Sequence, residues 1–200
     1  MSRGIILLKY FKERFSPFPW AIVPFFILIM SLDDLGKINF SIIFNTFVGI
    51  IFFRVFDDLG CFYFDKKNHE KRTYFSKNSF KVLLQFSYVI STIYLFHCYL
   101  FAQNLSVMII LILIVISMIL YRTLKNNKNI QFVSLLKYPV MMIFIESNTK
   151  GEISIWPIVV FIVFFITEYI EIYKIITIKV NFYKYVPFFV LIGIKLLMVS

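Results

Sequence analysis

The 200 residues are 60% hydrophobic, 20% aromatic and only 16% charged, with a mean hydropathy of +0.83. That is far more apolar and less charged than a soluble domain, so lipid is the expected solvent. The formal charge of +10 has no soluble domain on which to form a basic face; nucleic-acid binding is excluded, and the bases are read as reporters of membrane topology.

The N-terminus, "MSRGIILLKYFKERF", carries charges after a short apolar stretch and has no small-residue cleavage site. It reads as an amphipathic helix over residues 1–15 lying at the membrane surface rather than as a signal peptide. Residues 16–200 then offer seven runs that approach the ~20 apolar residues of a bilayer span. They are Pro17–Leu32, Phe40–Phe56, Val82–Ala102, Leu105–Tyr121, Phe132–Ile145, Ile155–Tyr173 and Tyr185–Val199. The fifth is short and contains Pro139. The runs are continuous rather than alternating, and an open sheet leaves backbone groups unsatisfied in lipid. The expected fold is therefore an all-α integral membrane protein, one membrane domain with about seven transmembrane helices.

The connections sort by charge. With the N-terminus in the cytoplasm, the inner segments hold sixteen Lys and Arg residues, and the outer ones hold two, Lys37 and Lys150. This is the bias expected of a multi-pass protein of the cell membrane. The tetrapeptide DDLG occurs twice and the topology separates the copies. Asp33 and Asp34 fall in an outer turn, whereas Asp57 and Asp58 fall at the inner end of the second run. Cys61 and Cys98 show no metal-knuckle or disulfide spacing, and His97 beside Cys98 reads as a polar spot at a helix end.

Two acidic groupings reach the inner face. In "RVFDDLGCFYFDKKNHEKR", Asp58, Cys61 and Asp65 stand at i, i+3 and i+7, within one arc of a helix that continues past Gly60, with Asp57 at its edge. Carboxylates so placed repel unless a cation joins them. Their oxygens suit Mg²⁺, which commonly shares its coordination with substrate phosphates. Arg54 precedes them by a turn; Lys66, Lys67, Lys71 and Arg72 follow. A solvated loop with basic bias explains the bases alone, but not the acidic array. In the sixth run, "FITEYIEIYKI", Glu168, Glu171 and Lys174 form a ridge, read either as a functional site or as an inter-helix ion pair. Lys137, near the start of the fifth run, either faces a phosphate or snorkels to the interface.

These motifs resemble those of the UbiA superfamily of intramembrane prenyltransferases. Asp57, Asp58, Cys61 and Asp65 occupy the positions of its N-D-x-x-D-x-x-x-D motif, and Arg54, Val55, His69 and Arg72 match a compact bacterial branch. "YFKERFSPF" looks like that branch's entry, and "EIYK" at Glu171–Lys174 looks like its second motif. The resemblance implies a helical bundle with a central cavity open to lipid, shortened by the family's last two helices. It implies a polyprenyl diphosphate held through Mg²⁺ and transferred to an acceptor it does not identify. Asp57, Asp58, Asp65, Glu168 and Glu171 would hold metal. Asp58, Asp65 and Glu171 would be the catalytic acids, and Arg54, Lys66, Arg72, Lys137 and Lys174 would bind the diphosphate. Cys61 departs from the motif, since a thiol is no hard ligand. That departure and the missing helices leave a degenerate relative, binding lipid or a partner without chemistry, as the alternative.

Overall fold

The computed structural model describes residues 2–15, 17–62, 65–66, 75, 78–124, 128–173 and 186–199. Among them every regular element is helical. The helices are α1 (Arg3–Arg14), α2 (Pro17–Ser31), α3 (Phe40–Gly60), α4 (Ser79–Phe101), α5 (Asn104–Thr123), α6 (Lys137–Thr149), α7 (Trp156–Ile172) and α8 (Val186–Val199). Two 3₁₀ segments, Leu35–Lys37 and Lys128–Leu136, lie between them.

Local chemistry sets several boundaries. Ser2 caps α1, and two bases, Lys12 and Arg14, fill its last turn, where the helix dipole favours positive charge. The Asn39 side chain caps α3 by accepting from the Ile42 N–H at 2.9 Å. Pro139 lies in the first turn of α6, where its missing N–H leaves no intrahelical bond unmade, so the residue that shortens the apolar run does not break the helix.

Four helical stretches are long and apolar enough to cross a membrane: Phe40–Gly60, Ser79–Phe101, Asn104–Thr123 and Asn129–Thr149. The last joins the second 3₁₀ segment to α6. Three shorter apolar helices, Ile22–Ser31, Trp156–Ile170 and Val186–Met198, complete the set. The outward faces of α4 and α5 expose Tyr88, Val89, Phe96, Leu111, Ile112 and Val115 among other large apolar side chains. Apolar surface on that scale suits lipid.

The bundle centres on α6, which is buried from Tyr138 to Ser147 and touches α2, α3, α5 and α7. A helix apolar all round belongs in such a position. Beside it, α3 packs along α4. Gly49 permits the approach, because a Cβ there would stand 3.0 Å from the Tyr94 ring and 3.3 Å from Met141. Near the far end of that pair, Asn45 donates to His97 Nδ1 at 3.2 Å and to Cys98 Sγ at 3.4 Å, so His97 and Cys98 serve as polar contacts between helices.

The chain's charges gather at two opposite ends. One end joins the C-termini of α3 and α5 to the N-terminus of α6 and to α1. The other joins the C-termini of α2, α6 and α8 to the N-terminus of α7. Asp33, expected in a simple acidic turn, belongs to this second end. It pairs with Lys150 at 2.8 Å and lies 3.5 Å from Lys195, while its neighbour Asp34 makes the turn by accepting from the Gly36 N–H. Lys150 holds the Asp33 carboxyl below its ordinary range, chiefly through their hydrogen bond.

Candidate functional site: a cation-lined cavity at one end of the bundle

At the first end, α3 delivers Asp57 and Asp58 into buried positions, and each is surrounded by donors from distant segments. Asp58 receives the Tyr10 hydroxyl at 2.9 Å and a two-pronged hydrogen bond from the Arg14 guanidinium, with Nε at 2.9 Å. Arg54, one turn earlier on α3, brings its Nε to 3.5 Å of the same carboxylate. Asp57 accepts from the Tyr121 hydroxyl and from Lys137 Nζ, the latter at 3.1 Å. Three cations are thereby held by two acids. Burying such charges is tolerated only when they are paired and hydrogen-bonded, as here.

The helical pattern continues past Gly60, with the Cys61 N–H bonding the Asp57 carbonyl and the Asp65 N–H bonding the Cys61 carbonyl, both at 2.8 Å. This keeps Asp65 on the face of Asp58, and Arg14 reaches both, at 3.5 Å from Asp65. Cys61, between them, is pushed up to about 12 by burial and then by the neighbouring carboxylates. These surroundings favour the neutral thiol over the thiolate. Burial and the Asp58 charge likewise hold the Tyr10 phenol far above its ordinary value, so it remains a donor.

A cavity of about 330 Å³ opens beside these pairs, between α1, α2, α3 and α6. Arg14, Arg54, Lys137 and Glu13 line its polar side. Ile27, Ile50 and Met141 line its apolar side. Within α3, Ile50 lies one turn deeper than Arg54; within α6, Met141 lies one turn deeper than Lys137. A turn is ~5.4 Å, so the cavity is cationic toward the charged end of the bundle and apolar toward its middle. Arg54 Nε is buried 3.5 Å from Asp58 and makes no hydrogen bond among the described residues.

The expected site residues divide accordingly. Arg54, Asp57, Asp58, Asp65 and Lys137 come together. Lys66 is exposed beyond them. Glu168 lines a separate cavity, with Tyr138 as a wall common to both. Arg72, Lys174 and the side chain of Glu171 lie outside the described residues. Among those described, no three His, Cys, Asp or Glu side chains group as a metal site. The oxygens of Asp57 and Asp58 are already engaged by the chain's own cations and phenols. This donor set suits a phosphate held by cations.

Tyr10, Arg14 and Tyr121 escaped sequence reasoning. Each reaches the motif from 44 to 64 residues away. Arg14 counted only as a topological base, although "KERF" was part of the resembling entry segment. No family model, curated protein or solved structure matches the chain.

Proposed function

We propose that the chain is an intramembrane prenyltransferase of the UbiA type, and that the cavity between α1, α2, α3 and α6 holds a prenyl diphosphate. The observation that carries this is the stagger of cations over apolar side chains. An anionic head with an apolar tail, as in a prenyl diphosphate, matches Arg54 above Ile50 and Lys137 above Met141. In this proposal α2–α8 all span the cell membrane, with the N-terminus and the cationic side of the cavity cytoplasmic, as the distribution of bases favours.

The chain's part in transfer follows from the residues present. Arg14, Arg54 and Lys137 take up the charge that grows on the departing diphosphate, which fixed cations stabilise without reorganisation. Asp57 and Asp58 position those cations. The apolar chamber keeps water from the allylic carbon until the acceptor arrives. A Mg²⁺ bound with the diphosphate would add to the charge stabilisation that Arg14, Arg54 and Lys137 supply.

A second reading is favoured by the saturation of Asp58 and by the neutral Cys61: a protein that holds the same amphiphile without turning it over. One experiment separates the two. The purified chain in lipid nanodiscs is offered geranylgeranyl diphosphate, and both binding and diphosphate release are measured. The double variant Arg54→Gln, Lys137→Gln is expected to weaken binding about 100-fold, roughly tenfold for each charge-assisted contact. EDTA is expected to weaken it by less than about tenfold; complete loss would show that a metal holds the phosphates. Binding with release supports the enzyme. Binding without release, whatever acceptor is supplied, supports the second reading. Binding indifferent to the double variant removes both.

A further inference from the structure

A further cavity, of about 150 Å³, lies where the start of α1 meets the start of α4. Arg3 and Lys81 line it, with the side chains of Asn78 and Gln85, and the buried Ile6 and Val82 form its apolar part. Both bases stand in the first turn of their helices, where the dipole disfavours a cation, and neither first turn holds an acid. Two like charges set against two helix dipoles are an unfavourable arrangement that an anion between them offsets. The topological bias of the bases accounts for their number, not for the convergence of two helices' bases on one cavity. The cavity also has a continuation. Along α4, Lys81 and Gln85 are followed on one exposed stripe by Tyr88, Val89 and Phe96. This helix is long and apolar enough to cross a membrane, so the stripe leads from the two cations into the hydrocarbon layer.

We propose that this cavity holds the phosphate of an anionic membrane phospholipid, whose acyl chains lie along the α4 stripe. A cavity of ~150 Å³ accommodates a benzene ring, so this one has room for a phosphate and the start of its glycerol ester. Arg3 offers the phosphate oxygens a fork of donors and Lys81 a point charge. A free phosphate would meet the same two cations but gain nothing from Val82, Tyr88 and Phe96. A zwitterionic headgroup carries a cation of its own, which Arg3 and Lys81 repel. By joining Arg3 to Lys81 the lipid holds α1 on α4, and α1 is the helix that carries Tyr10 and Arg14 to Asp58. The proposal does not depend on the prenyl diphosphate reading; it needs only the cavity and a membrane around α4.

The test titrates the full chain, in a neutral detergent, with dioleoyl-phosphatidylglycerol and dioleoyl-phosphatidylcholine, and native mass spectrometry reads the bound fraction. The anionic lipid is expected to bind at least about tenfold more tightly, the scale of one charge-assisted hydrogen bond. The double variant Arg3→Gln, Lys81→Gln should reduce that preference below about threefold. The exchange Arg3→Lys, Lys81→Arg keeps the charges and should keep the preference. Two controls remove equal charge elsewhere: Lys9→Gln, Lys12→Gln from the exposed face of α1, and Arg54→Gln, Lys137→Gln from the first cavity. Each should leave the preference within about twofold of the parent's. Equal affinity for the two lipids, or a preference that survives loss of Arg3 and Lys81, overturns the site. Equal losses in the Arg3, Lys81 and Lys9, Lys12 variants overturn it in favour of diffuse surface charge. A loss confined to the Arg54, Lys137 variant places the lipid in the first cavity and overturns it as well. Inorganic phosphate that competes with the anionic lipid at equal concentration overturns the lipid assignment in favour of a free anion.

Discussion

Gly60 shows how one absent side chain decides the geometry of an acid. A Cβ at this position would stand 2.4 Å from Tyr121 Cδ1 and 2.6 Å from Cγ, distances that no side chain occupies. The Tyr121 ring lies flat on the end of α3 for this reason, and from there its hydroxyl reaches Asp57. It is also packed edge-on against Phe56, 5.6 Å between centroids, so it has little room to retreat. Gly60→Ala is expected to destabilise the fold by about 1–3 kcal/mol, the usual cost of overpacking. In a Tyr121→Ala background the clash is gone, and the same substitution should cost less than about 0.5 kcal/mol. Denaturant titration of the four proteins in detergent checks this; equal costs in both backgrounds would show that the ring is not what Gly60 accommodates. The glycine was visible in the sequence only as the end of DDLG. Spacing along one helix put Asp58 and Asp65 on a shared face, because helical periodicity is local. The partners that fill those acids belong to other helices, and no local pattern announces them.

Among the elements, the helices themselves were the most legible part, since continuous apolar runs and flanking bases are properties of single segments. How the helices tie together was not legible, and the end opposite the cavity shows why. Lys195 lies near the end of α8. It is 2% exposed, and its ammonium donates to the carbonyls of Met30 at 2.7 Å and Leu32 at 2.8 Å. These are carbonyls at the C-terminus of α2, where a helix leaves acceptors unsatisfied and its dipole favours a cation. The partners stand more than 160 residues apart. Nearby, Glu146 of α6 accepts from Ser154 N at 2.8 Å and from Ser154 Oγ at 2.6 Å, fastening the turn into α7. Lys195→Met keeps the apolar stem and removes the donor. It is expected to cost about 2–4 kcal/mol, because the Met30 and Leu32 carbonyls lose a charged donor. Lys195→Arg should recover part of it. Thermal unfolding in detergent reads both, and a Met variant as stable as the parent would mean that water satisfies α2 equally well. Asp33 adds a pH term of known sign. Its carboxyl is held low when folded, so its contribution is present above the unfolded value and fades as pH falls through the folded one. At 53% side-chain exposure the pair is screened, and the loss confined to acid pH is small.

At the scale of the whole molecule, the two charged ends and the apolar middle define an axis. α3 is 21 residues long, which at ~1.5 Å per residue is about 31 Å, the thickness of a hydrocarbon core. Arg14, Arg54, Asp57 and Asp58 mark one end of that length, and Asp33, Glu146, Lys150 and Lys195 lie at the other. A chain with this axis has two faces that never meet in a membrane. Lys66, exposed just beyond Asp65, reports the first face; Glu152, exposed after α6, reports the second. Single cysteines at these positions can be read without removing the native ones. Cys98 is buried, and the Cys61 thiol is kept protonated, so both react slowly with maleimides. In intact cells an impermeant maleimide is expected to label Glu152→Cys directly and Lys66→Cys only after permeabilisation. Labelling of both from one side would break the axis and the proposed spanning arrangement with it. Labelling with the sides exchanged would keep the axis and reverse the orientation, placing the diphosphate cavity on the face away from the cytoplasm and removing the basis for a cytoplasmic donor.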